Sequence, residues 1–167
     1  MMAIAALALT FAACGEKNAN GESAGEEGYT IYTNDKYGFT VDVPEGLEQI
    51  KGLMPEEGTV YSADKGQTAK LNRIDIAGGK QIFDEEYTPE KVKAEFKSWT
   101  ENIEADTTEC GDSYFAYTIK SEQFTEMHRH VFKGSKKAML SVCFDDAHEK
   151  QLGGDVAKHV LESVKFK

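Results

Sequence analysis

Three runs decide the architecture: SYFAYTIK at Ser113–Lys120, FTEMHRHVFK at Phe124–Lys133 and AMLSVCFD at Ala138–Asp145. Each reads as a strand, and the connectors Ser121–Gln123 and Gly134–Lys136 are short, so the pairing expected is an antiparallel meander. Folding the runs about those connectors puts Phe115, Tyr117 and Ile119 on one face with Met127, Val131, Leu140, Val142 and Phe144. Arg129 is the one polar intruder on that face. Agreement of three strands favours this register, because a slip of one residue turns every side chain of a strand to the other face.

The same register makes a row on the opposite face. His128 and His130 stand two apart on one strand and point the same way. Cys143 falls opposite His128, Ser141 falls opposite His130, and Glu126 and Asp145 extend the row. Two imidazoles, a thiol and a carboxylate suit zinc or copper(I), so His128, His130, Cys143 and Asp145 form a candidate metal set. The favoured alternative is a polar sheet face, solvated or covered by a helix, since no compact CxxC-type spacing reinforces the signal. Cys110 and Cys143 fall about 20 Å apart in this register, which argues against a disulfide unless Cys110 sits in a loop that folds back.

Upstream, Thr88 is a candidate N-cap, with Pro89 at the first helical position and Glu90 in the first turn. Val92, Phe96, Trp99 and Ile103 then follow helical spacing, a stripe to lay on a sheet, with Trp99 read as core. Nearer the N-terminus, Tyr29–Thr33 and Gly38–Val43 read as strands around an Asn34-Asp35-Lys36 turn, stopped by Pro44-Glu45-Gly46. Thr59–Ser62 and Thr68–Ala77 read as a hairpin around Asp64-Lys65-Gly66, with a bulge or an end of pairing between Leu71 and Ile74. After the meander, Asp146 and Glu149 match a capping box, and Asp155 is placed to cap a last short helix carrying Val156, Val160, Leu161 and Val164.

The first residues, MMAIAALALTFAA at 1–13, form an uncharged small-apolar run. A membrane-spanning helix needs about 20 such residues, whereas a signal-peptide core needs fewer. Phe11-Ala12-Ala13-Cys14-Gly15 resembles a bacterial lipobox, with Phe11 where Leu is usual, so Cys14 is the expected lipidation site. No Lys or Arg precedes the run, as expected if the natural start lies upstream. A plain secretory signal with a chance cysteine is the alternative. Gly15–Gly28 holds four glycines and four glutamates with nothing apolar larger than alanine, a composition unable to offset its ordering entropy. The expected organisation is therefore a signal peptide at 1–13, a lipidated Cys14 with a flexible tether at 14–28, and a single α+β domain at 29–167.

Asn34–Pro44, with its Tyr37-Gly38-Phe39 strand leading into the Pro44-Glu45-Gly46 turn, resembles the N-terminal signature of PsbP-like proteins. Val160-Leu161-Glu162-Ser163-Val164-Lys165-Phe166 is similar to their last helix running into a short strand. Leu47 stands where that family has an aromatic. The resemblance implies a central antiparallel β-sheet flanked by helices, and a family whose members share a fold rather than a function and mostly bind rather than catalyse.

Composition narrows the function. A net charge of −10, from 29 acidic and 19 basic side chains, disfavours nucleic-acid binding and leaves no basic patch to supply membrane contact. Gly111-Asp112-Ser113 with Asp145 and His148 echoes the blocks of GDSL-type hydrolases. The serine, however, opens a strand instead of leaving one for a helix, and the oxyanion-hole blocks are missing. His159 reads as a solvated position on the last helix. Gly78-Gly79 and Gly153-Gly154 lack the context of a phosphate loop. The expectation is a non-enzymatic, membrane-tethered binding or assembly module of the bacterial cell envelope, periplasmic or surface-facing, without a cofactor. Its partners would be the lipid anchor and an unidentified protein or small molecule. A metal-binding lipoprotein is the alternative.

Overall fold

The computed structural model describes residues 26–50, 57–64 and 71–167. Residues 1–25, which include the expected signal peptide, Cys14 and most of the tether, lie outside them, as do Lys65 and Gly66.

Strands β1 (Tyr29–Asn34) and β2 (Phe39–Pro44) form a hairpin, joined at its other edge by the closing strand β10 (Lys165–Phe166). A second sheet holds β3 (Glu48–Ile50), β4 (Gly58–Ser62), β5 (Arg73–Lys80), β6 (Thr107–Cys110), β7 (Tyr114–Lys120), β8 (Thr125–Lys133) and β9 (Lys136–Phe144). Its strand order is β3-β4-β5-β9-β8-β7-β6, antiparallel throughout. Helix α1 (Pro89–Thr100) packs on one face. The small sheet, with α2 (Glu149–Leu152) and α3 (Gly154–Glu162), covers the other. The fold is α+β, as the sequence implies.

Both faces are core. On the small-sheet face Phe39, Val41 and Val43 meet Ile74, Ile76, Leu140 and Val142. On the α1 face Val92 packs with Phe115, Tyr117 and Phe132. Glycine allows one close approach on the first of these faces: a Cβ on Gly78 would lie 2.1 Å from the Tyr37 ring.

The meander departs from its expected register at one turn. Lys120 pairs with Thr125, so Phe124 belongs to the turn and the connector is one residue longer than Ser121–Gln123. The Ser121 hydroxyl fixes that turn by accepting from the amides of Gln123 (3.2 Å) and Phe124 (3.1 Å). The extra residue moves Phe115, Tyr117 and Ile119 to the face of His130, His128 and Glu126. At the next turn, Lys133 pairs with Lys136 across Gly134-Ser135, with Gly134 at φ 60°. That shifts the register by two, so faces are preserved but partners change: His128 opposes Ser141, His130 opposes Met139, and Cys143 opposes Glu126.

Smaller differences have local causes. Thr88 caps α1 as expected, accepting from the Lys91 amide. Trp99 is not core: the helix carries it to the edge of its packed stripe, where 46 % of it stays exposed. Asp145, not Asp146, caps the turn after β9 by accepting from the His148 amide. Gly153 precedes α3, with Asp155 in its first turn. Asn72, with φ 54°, ends regular pairing ahead of β5, at the phase change between Leu71 and Ile74. β3 and β6 are too short and polar to have left an alternating pattern.

Candidate functional site

The α1 face gathers the histidines among aromatics. His130, 2 % exposed, stacks on Phe115 with ring centroids 4.4 Å apart and meets the edge of Trp99 at 4.8 Å. Its Nδ1 is buried without a hydrogen-bond partner. Burial, aided by the charges of His128 and Lys137, pushes its pKa down to about 3. His128 stacks on Tyr117 (4.4 Å) and its Nε2 lies 3.1 Å from Glu126 Oε1. That hydrogen bond holds the Glu126 carboxyl below its ordinary range, while burial and the Glu126 charge push the Cys143 thiol up to about 11. A thiol so placed is a poor nucleophile and a poor metal ligand at neutral pH.

The four expected metal ligands do not meet. Cys143 lies across from Glu126 rather than His128 because of the two-residue shift. Asp145 is engaged elsewhere: it accepts from Asn72 Nδ2 (3.1 Å), and its other oxygen lies 2.8 Å from His148 Nδ1. These two contacts hold its carboxyl below the usual range. Among the described residues, the one group of three His, Cys, Asp or Glu donor atoms within 4.8 Å of each other is Glu26, Asp42 and His159. His159 is thus half-buried and partnered rather than free in solvent: it stacks on Tyr29 (4.2 Å), with Nε2 3.1 Å from Asp42. Cys110 and Cys143 are both free thiols, three strands apart in the sheet.

The small-sheet face carries an open groove of about 450 Å³ where α3 stops short of the sheet edge β6-β7-β8. Its floor is Ala116, Met127 and Leu161, and its rim carries Arg129, Lys158 and Glu162. Arg129, the intruder on an apolar face, lays its guanidinium 4.2 Å from the centroid of the Tyr114 ring. The Tyr114 hydroxyl donates to Glu109 on β6, and that bond raises its pKa. No carboxylate among the described residues lies within 4.0 Å of Arg129 or Lys158. A second hollow of about 310 Å³ shares Thr107, Thr118 and Met127 and extends the groove toward Glu149 and Gly154. Sequence reasoning missed Lys158, Leu161 and the β6 residues, since nothing marked β6 as a strand; Arg129 was the legible signal. The arrangement offers an apolar floor, two cations without ion pairs and an exposed edge strand, which is equipment for holding a ligand.

No family model matches this sequence, and no curated protein matches it. Solved structures do. The solution structure of cyanobacterial PsbP (CyanoP) from Synechocystis sp. PCC 6803 superimposes with a TM-score of 0.58 at 12 % identity, covering 92 % of this chain and 99 % of its own. A crystal structure of a protein from Bacteroides thetaiotaomicron VPI-5482 gives 0.53 at 12 % identity, covering 82 % of this chain and 48 % of that longer one. At this level of superposition over most of the chain, the fold is PsbP-like.

Proposed function

We propose that this chain is a membrane-tethered, non-catalytic binding module of the bacterial cell envelope whose ligand seat is the groove between α3 and β6-β7-β8. The groove carries the reading, because its floor is apolar while Arg129 and Lys158 stand at its rim without ion pairs. A PsbP-like fold is compatible with binding rather than catalysis, as analogy. Tethering rests on the residue pattern at 1–28, with Cys14 as the acylated residue and two acyl chains giving stable anchoring. Among the described residues no helix is long and apolar enough to cross a membrane.

The test is a pull-down from detergent-solubilised native membrane with the wild type and with Arg129→Glu/Lys158→Glu. A component retained by the wild type and lost from the variant is the expected result. Equal recovery by both sinks the assignment of the groove. Mass spectrometry of the cell-derived protein separately tests the anchor, which an unacylated Cys14 would remove.

A further inference from the structure

The connector between β5 and α1 pushes two large apolar side chains into water. Ile82 is 74 % exposed and Phe83 93 %, side by side in one short turn. Phe83 and Asp84 have φ of 61° and 57°, the left-handed region that disfavours side chains of this kind. The turn is held in that shape. The Gln81 amide donates to Ser135 O and the Tyr87 amide to Gly134 O, each at 2.8 Å, and Lys80 pairs with Asp84. Backbone bonds on both sides of a strained tip thus clamp it to the β8–β9 turn, with an aromatic at its summit.

Lysines surround it. Lys133, Lys136 and Lys167 line the adjoining hollow with Asp84 and Glu86, and Lys80 lies across from Lys136 in the sheet. Lys80 is taken by Asp84 and Lys167 by Asp35 (3.3 Å), but no carboxylate among the described residues comes within 4.0 Å of Lys133 or Lys136. Of the carboxylates that follow the tip, Asp84 is held by Lys80 and Glu85 by Lys91. Among the described residues the two free ammonium groups thus stand against one carboxylate without an ion pair, Glu86, a local positive excess in a chain of net charge −10.

We infer that Ile82 and Phe83 form a knuckle that dips into an anionic lipid surface, with Lys133 and Lys136 on the headgroup phosphates. Size decides against a protein partner: two side chains supply roughly 300 Å², well short of the about 800 Å² per partner of a stable protein interface. A bilayer accepts a tip of this size, taking apolar side chains at the acyl boundary while lysines keep their charges among the headgroups. The knuckle is independent of the groove, and it acts whether or not Cys14 carries lipid.

The test uses the full chain with Cys14→Ser, so that no acyl anchor contributes, and reports from the tip itself. Phe83→Trp in a Trp99→Phe background places the single tryptophan there. With phosphatidylcholine vesicles containing phosphatidylglycerol, its emission should shift to the blue and be quenched by lipids spin-labelled in the acyl chain. Ile82→Ser/Phe83→Ser should weaken vesicle flotation by about tenfold or more. Lys133→Glu/Lys136→Glu should weaken it with anionic vesicles. Absence of quenching by any vesicle overturns the inference, as does flotation of the serine variant equal to that of its parent. Loss of a pulled-down protein on the serine substitutions without lipid quenching also overturns it, in favour of a protein contact.

Discussion

At the scale of single residues, His130 has the clearest consequence for stability. Its imidazole titrates near its ordinary 6.5 in the unfolded chain but only at about 3 in the fold, because burial penalises the cation. Above pH 6.5 both states leave it neutral and it contributes nothing to pH dependence. Below that, the unfolded chain takes up a proton that the folded one refuses, so stability falls as pH falls toward 3, by about 2–3 kcal/mol at pH 4.5. Replacing it with His130→Phe removes that proton uptake and relieves the unpartnered Nδ1. Urea titrations at pH 7 and 4.5 should show the variant losing less stability on acidification than the wild type. Parallel losses would mean that His130 is protonated within the fold. The row of histidines was legible in the sequence because alternation fixes which side chains of one strand point together. What they touch was not, because contact depends on the neighbouring strand.

At the scale of elements, the turns set which side chains meet. The strands β7, β8 and β9 were legible to within two residues, as were the β1–β2 hairpin and the start of α1, since their patterns or caps are local. The face of β7 was not: one residue more in the Ser121–Phe124 turn exchanges its two sides, and the Ser121 hydroxyl that fixes the turn carries no periodic signature. Ser121→Ala should cost about 1 kcal/mol, read as a lower urea midpoint with an unchanged slope. An unchanged midpoint would place control of the register in the strands alone. β6 escaped notice because four residues, mostly exposed, show no alternation. With it goes one wall of the groove, of which only Arg129 stands out in the sequence.

At the scale of the whole molecule, the two ends of β1 have different surroundings. The chain enters the domain beside Asp42 and His159, while the β1–β2 turn lies near Lys136 and thus near the exposed Ile82-Phe83 turn. Six residues of strand, about 20 Å, separate the two ends. The Glu26-Asp42-His159 cluster and the lysine-rimmed tip therefore lie toward opposite ends of β1, which sequence could not reveal because the lysines come from β5, the β8–β9 turn and the C-terminal end. If the acyl group and the tip rest on one bilayer, the chain between Cys14 and Glu26 has to span at least the height separating the ends of β1, and its about 40 Å of fully extended reach suffices. Removing Glu16–Ser23 would leave about 14 Å, less than the height to be covered. The shortened protein should stay in the membrane fraction yet lose the lipid quenching at position 83, whereas full quenching would show the domain lying on its side. The leader would then be a ruler as well as a leash: its span decides whether the domain stands with one foot on the lipid or two.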